Sequence, residues 1–406
     1  MPPFFERLRA GALSYALFSR DKTSAKMIRK DSGYVHSLYL AIPLAVGFTL
    51  GAMLLLWISG QTKIKFEEFA LPVGTSSYFA EYDGHKIHGT GICDADDCIE
   101  GWRKRGSREA ALWMGNSQIH AVNQLKPGQE NASPLLFRAL NKKGLDFLTF
   151  SFPNSNFQEY YVFFEYLRPR LNLKVLILPV VFISFRETGI RDDIAKALND
   201  PDVKNSLKRT KIGERILKEC GSKESSKESP EDGELAALRG TIQEHSEKFL
   251  NSWLKNNMSL WEARPQVRGW LTISLYRLRN TVLGIDPQTK RKMIGGRYED
   301  NMAALKAVVD HAITEKIKVV LYTAPIRRDV ELPYILEEYQ ACKNQVKELA
   351  QESGAIYADL ESIVPGEFWG QKESTALNSK LELDFFHFQA AGHSILAEAL
   401  TKLIRQ

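Results

Sequence analysis

The chain predicts an α/β protein: a three-layer α/β/α domain with a parallel sheet over residues 108–406, carrying a helical insertion and preceded by one transmembrane helix. Three observations lead there. Beyond residue 108, strand-like apolar runs alternate with helix-like segments, the pattern of a parallel sheet covered on both faces. One polar, serine-rich run interrupts that alternation. Near the N-terminus, a single uncharged stretch reaches bilayer length.

That stretch runs from Leu38 to Ile58 and is broken only by Pro43, Gly47, Thr49 and Gly51. About 20 apolar residues cross one bilayer, so residues 36–60 read as an anchor. No small-x-small cleavage signal follows Trp57-Ile58-Ser59-Gly60, which argues against a removed leader. Arg7, Arg9, Arg20, Lys22, Lys26, Arg29 and Lys30 precede the span, while only Lys63 and Lys65 follow closely. The excess predicts that the basic arm 1–35 is cytoplasmic, meeting anionic lipid, and that the rest lies outside a bacterial cytoplasmic membrane, in the periplasm of a Gram-negative cell. The net charge of +5 is small beside that arm, and no basic stripe interleaved with aromatics argues for nucleic acid. With 44% hydrophobic and 25% charged residues, a largely disordered chain is excluded.

Residues 61–107 read as a linker and small strand-rich cap punctuated by Gly74, Gly84, Gly89 and Gly91. Cys93 and Cys98 bracket Asp94-Ala95-Asp96-Asp97, a spacing that suits a local disulfide in an oxidising compartment. Zinc with His85 and His88 is the alternative, although the spacing is not a standard zinc pattern, and the acidic turn lacks the EF-hand register. Then come a strand over Ala110 to Met114, a helix over Ala132 to Lys143, a strand over Phe147 to Phe152, a helix over Asn156 to Arg170 and a strand over Leu173 to Phe182.

Residues 187–296 break the rhythm as a helical insertion, with a mobile loop at 221–233 where the run has no apolar period. Beyond it, Trp253, Leu254, Trp261, Trp270 and Leu271 belong to a helical cap, or to a lid or contact surface. The alternation resumes with a helix over Asn301 to Glu315, strands over Lys316 to Thr323 and Ala355 to Ala358, and a helix over Ala390 to Ile404. Arg327 and Arg328, at a strand's carboxyl edge, either solvate a loop or bind an anion.

Two short blocks carry chemistry. Gly115-Asn116-Ser117-Gln118 follows the first strand, so Ser117 sits where a strand turns into a helix and backbone N–H groups face an incoming carbonyl. Serine needs a neighbouring base held in one tautomer by a third group. Asp384 and His387, three apart before the last helix, provide an orienter and a base. His120, three residues after Ser117, either faces the cleft from the following helix or is structural, the commoner role of a lone histidine, and His393 reads the same way.

With these blocks the chain resembles the SGNH, or GDSL-type, hydrolase superfamily over residues 108–406. The resemblance assigns Ser117 as nucleophile, Asp384 as carboxylate and His387 as base, with no metal and no cofactor. It also implies oxyanion donors in two intermediate blocks. In the first, Asn154 stands where the family has glycine, and asparagine tolerates the positive φ required. The second, Leu178-Pro179-Val180-Val181-Phe182, has no asparagine. Asn156, Gln118 and Arg186 are the other polar candidates, and loss of one donor costs about 10²–10³ in turnover. The resemblance implies a serine esterase or O-acyltransferase acting through an acyl-enzyme on acyl, above all acetyl, esters of cell-surface glycans. Its expected partner is a multi-span membrane-bound O-acyltransferase. A catalytically weak scaffold or glycan-binding subunit, and a lipid esterase, remain the alternatives.

Overall fold

The computed structural model describes residues 75–225, 277–374 and 381–405, with a few further positions within 46–53, at 274–275 and at 377. The chain divides into two compact units, residues 1–63 with 254–267, and residues 64–253 with 268–406. In the first, the described residues between Val46 and Met53 are helical. Among the described residues no helix is long and apolar enough to cross a membrane. The predicted span over 36–60 lies mostly outside them, as do the basic arm and the tryptophans of the insertion.

The second unit contains strands β1 Thr75–Ser77, β2 Glu81–Tyr82, β3 His85–Lys86, β4 His88–Gly89, β5 Ala110–Asn116, β6 Ala121–Asn123, β7 Asp146–Phe152, β8 Leu173–Val180, β9 Lys318–Thr323, β10 Ile356–Asp359, β11 Trp369–Glu373 and β12 Leu381–Phe388. Six of them form one sheet in the order β10-β9-β8-β5-β7-β4, with every pairing parallel. The chain leaves β5 to form β7 on one side and then returns to place β8 on the other. Strand order therefore reverses at β5, which opens a crevice beyond its carboxyl end.

Strand alternation builds a core on each face. Ala110, Leu112 and Met114 of β5 enter one cluster with helices Phe157–Leu167 and Gly295–Thr314, while Ala111 and Trp113 enter the other with helices Ala132–Asn141 and Ala390–Arg405. Side chains of a strand point alternately to its two faces, so a run apolar at every position must be covered twice. Trp113 Nε1 donates to the Tyr322 hydroxyl at 3.1 Å, satisfying the indole inside the second layer.

Several sequence expectations are corrected. Residues 85–107 are part of the α/β unit: β4 is the sheet's edge, and helix Ile92–Lys104 buries Ala95, Cys98, Ile99 and Trp102 in the core. The three aspartates of that helix masked its apolar face. Cys93 and Cys98 both lie on it and are free thiols. Five positions on a helix turn their side chains roughly 140° apart, so no local disulfide closes. His85 pairs with Asp97, and His88 is buried against Ser151. Helix Lys211–Ser225 runs through the first part of the predicted mobile loop, and the remainder of 221–233 lies outside the described residues. Arg327 is buried, forking onto Asp329 and donating to the Gly370 carbonyl, and Arg328 pairs with Glu361. Neither is a free loop cation.

Arg105, just past helix Ile92–Lys104, forks onto Asp146 at the start of β7 with bonds of 2.8 and 3.1 Å, and the carboxylate is fully buried. Asp146→Ala strands that guanidinium, and urea unfolding is expected to show a loss of about 3–5 kcal/mol. A loss under about 1 kcal/mol would mean the pair behaves as a surface contact.

Candidate active site

Ser117 stands at the carboxyl end of β5, where the sheet order reverses. β5 stays extended through Asn116, whose side chain caps the short helix Ser117–His120 by accepting the Gln118 N–H at 3.1 Å. Gly115 is required by packing rather than by a turn. A Cβ there would lie 2.2 Å from Ile119 Cδ1 and 2.8 Å from Pro179 Cγ.

Asp384 and His387 sit on β12, not on a free turn before the last helix. β12 pairs with β11, but between Leu383↔Gln371 and Phe388↔Trp369 the residues Asp384 to His387 face Gly370 alone. The chain bulges there, and bulges re-aim side chains. The bulge is held from inside: Asp384 Oδ1 accepts the N–H groups of Phe386 at 2.9 Å and His387 at 3.1 Å. Its other oxygen lies 3.0 Å from His387 Nδ1, and His387 Nε2 lies 3.0 Å from Ser117 Oγ. The structure thus joins three side chains from opposite ends of the unit into one relay.

Burial alone would raise the Asp384 carboxyl, but the His387 charge and hydrogen bond, Lys372 and the Phe386 N–H outweigh it and bring it down to about 2. At neutral pH it is a pure acceptor, so it takes the Nδ1–H of the imidazole and turns Nε2 toward Ser117 Oγ.

Two further residues that sequence reasoning did not assign hold this relay. Asn123, fully buried on β6, donates through Nδ2 to the Gln371 carbonyl at 3.0 Å and reaches Asp384 Oδ2 at 3.4 Å. Gly370 makes room for it, since a Cβ there would lie 1.8 Å from Asn123 Oδ1. No sequence signal marks either position, because their partners lie far along the chain.

The remaining candidates divide. Gln118 lines the pocket, but both its amide hydrogens are engaged, with the carbonyls of Pro325 at 2.7 Å and Phe386 at 2.8 Å. It clamps the Ser117 helix to the His387 bulge. Asn154 also lines the pocket, at φ 49°, and its N–H bonds no described residue. Arg191 steadies that loop by donating to the Pro153 carbonyl and pairing with Glu159. Asn156 is consumed structurally: it caps helix Phe157–Leu167 and donates to the Gly189 carbonyl at 2.8 Å. Arg186 donates to the Lys292 carbonyl, outside the residues that line the pocket. Asn116 is the candidate that was overlooked. Its oxygen is fixed by the cap, which leaves the amide nitrogen of a pocket-lining residue without a partner among the described residues.

The pocket is small, about 80 Å³, with Val180, Val181, Phe182, Ile326, Tyr334 and Phe386 on its walls. Behind Ser117, His88 Nε2 and His120 Nδ1 share the Ser151 hydroxyl at 2.6 and 2.7 Å. Burial, followed by the charges of His387 and His393, pushes His120 down to about 3. Burial brings His393 to about 3 as well. These rings are neutral at pH 7 and do not compete for the serine proton.

No family model and no curated protein matches the chain. Among solved structures it is similar to an acetylxylan esterase from Geobacillus stearothermophilus, at 10% identity over 73% of this chain and 94% of that one, with a TM-score of 0.34. A GDSL-like lipase from Bacteroides thetaiotaomicron aligns at 9% identity over 76% of this chain and 97% of its own, with a TM-score of 0.33. Likeness at this level carries no inference about activity, which rests on the residues themselves.

Because Asp384 falls to about 2 on folding, from 3.8, it contributes about 2 kcal/mol that is present above about pH 4 and lost as pH falls toward 2. Wild type minus Asp384→Asn, measured by denaturant unfolding from pH 2 to 7, is expected to show that slope. A pH-independent difference would contradict it.

Proposed function

We propose that the protein is a serine esterase or O-acyltransferase that works through an acyl-enzyme at Ser117. The observation that carries this is the continuous relay of Ser117, His387 and Asp384, with both links at 3.0 Å. His387 Nε2 accepts the hydroxyl proton as Ser117 Oγ bonds to the ester carbonyl carbon. The Nδ1–H donated to Asp384 stabilises the imidazolium that forms. The carbonyl oxygen becomes an oxyanion, for which the Ser117 N–H, unpaired as the first of its helix, and the Asn154 N–H are donors, with the Asn116 amide as a third. The imidazolium then protonates the departing alcohol, and a second oxygen nucleophile releases the acyl group by the reverse path.

The small apolar pocket favours a short acyl group such as acetyl over a fatty chain. The uncharged stretch 38–58 and its basic flank support a single-span anchor with the catalytic unit outside the cytoplasmic membrane. In that setting an acylated glycan is the proposed substrate, with a multi-span acyltransferase as the partner that supplies or shares the acyl group. The assembled relay favours this reading over a scaffold without catalysis.

Hydrolysis of 4-nitrophenyl acetate tests the chemistry. Ser117→Ala is expected to lose about 10⁴-fold or more in kcat, and a fluorophosphonate is expected to label Ser117 in the wild type alone. Full turnover by Ser117→Ala sinks the proposal. Gln118→Leu removes the clamp without touching the relay, and an expected fall of about 10²-fold in kcat with little change in KM reports a misplaced base.

A further inference from the structure

Arg186, Arg291 and Arg297 gather beside the aromatic wall of the active-site pocket. The Arg291 guanidinium lies over the Phe386 ring, 5.4 Å from its centroid, and Phe386 directly precedes the catalytic base. The backbone of Arg291 bridges Tyr334, which lines the pocket and packs on Phe182 at 4.6 Å between ring centroids. Arg297 donates to the Arg186 carbonyl at 2.9 Å, and Arg186 donates to the Lys292 carbonyl at 2.7 Å. Among the described residues none of the three has a carboxylate within ion-pair distance; Arg186 and Arg291 are half-buried and Arg297 is exposed, whereas this unit pairs most of its other half-buried or buried arginines. Arg291 Nη1 is buried with no hydrogen-bond partner among the described residues.

A guanidinium nitrogen shut away from water with nothing to donate to is costly. The cluster is also mutually repulsive. Burial first, then the charge of Arg291 and, least, that of Arg297, push Arg186 below its ordinary value, and Glu187 and Tyr334 only partly offset them. Of the nearby Glu338 carboxylate, one oxygen accepts the Met293 N–H, and the group forms no ion pair with the three arginines among the described residues. Helix Gly295–Thr314 begins in the same place with no side-chain cap and no acidic residue in its first turn, and a Cβ added at Gly295 or Gly296 would meet nothing within 4 Å among the described residues. Such a helix end attracts negative charge.

We propose that this cluster is a substrate subsite that binds a carboxylate or phosphate carried on the alcohol part of the ester. The acyl pocket is too small and apolar to hold a charge, so the anion belongs to the portion that projects out of it. The subsite rests on the serine esterase reading for its role, but its affinity for anions does not. The substrate class that follows is an O-acylated acidic or phosphorylated alcohol, such as an acidic sugar residue.

The test compares 4-acetoxybenzoate with its neutral methyl ester, and separately titrates inorganic phosphate into full-length protein by calorimetry. Wild type is expected to favour the acid in kcat/KM, with the ratio of the two esters falling about tenfold in Arg291→Met and in Arg186→Met. Arg291→Lys is expected to keep part of the preference, which separates loss of charge from misfolding. Phosphate binding is expected to weaken by a similar factor in both methionine variants. A wild-type ratio near one, or a ratio unmoved by either methionine variant, overturns the subsite. If neither ester turns over, the serine chemistry fails and phosphate alone decides: binding that the methionine variants weaken keeps the anion site, and no binding to wild type removes it.

Discussion

One buried carboxylate organises the candidate site. Asp384 uses one oxygen to gather the N–H groups of Phe386 and His387, bulging its own strand, and the other to orient the imidazole that the bulge has turned inward. The same group thus sets backbone shape and proton direction. Burial of a carboxylate is tolerated because its bonds and the imidazole charge more than offset desolvation, which is why it stays ionised. Asn123 and the missing side chain at Gly370 then fix where that carboxylate sits.

Around it, the sheet does the positioning. The reversal of strand order at β5 opens the crevice into which Ser117 projects, and β9 delivers the Ala324 to Ile326 segment to the same edge. Gln118 joins these parts by donating to carbonyls on both the β9 loop and the β12 bulge. Rigid elements bring the groups near one another, and one amide sets the last ångström. The pocket left between them is narrow and apolar on the acyl side, and an arginine cluster stands behind its aromatic wall.

Much of the layout was legible along the chain. Runs such as Ala110 to Met114 and Leu173 to Val180, apolar at nearly every position, state that both faces are covered, and the helices between them state that the strands are parallel. Helix Ile92–Lys104 was hidden because its polar face carries Asp94, Asp96 and Asp97, which read as a turn. The hairpin of β11 and β12 was hidden because its pairing is distant and irregular, so the local pattern resembled a cap before a helix. Asn156 was misjudged for a related reason: a polar residue beside a catalytic loop serves equally well as a helix cap, and the Glu159 three residues later was the available sign.

Residue order by itself singled out Ser117, His387 and Asp384 as a candidate relay, because the types and spacings that acyl chemistry needs are local: a strand-ending Gly-Asn-Ser and an Asp three before a His. It also determined the alternation that makes an α/β sheet. Tertiary structure alone decided that the Asn154 N–H bonds no described residue, that Gln118 is a clamp, that Arg327 is bound while Arg291 has a buried nitrogen without a partner among the described residues, and that Asn123 steadies Asp384. The reason is physical. Periodicity and local spacing record what a segment presents, whereas a hydrogen bond is satisfied or left open only by what the rest of the chain brings against it.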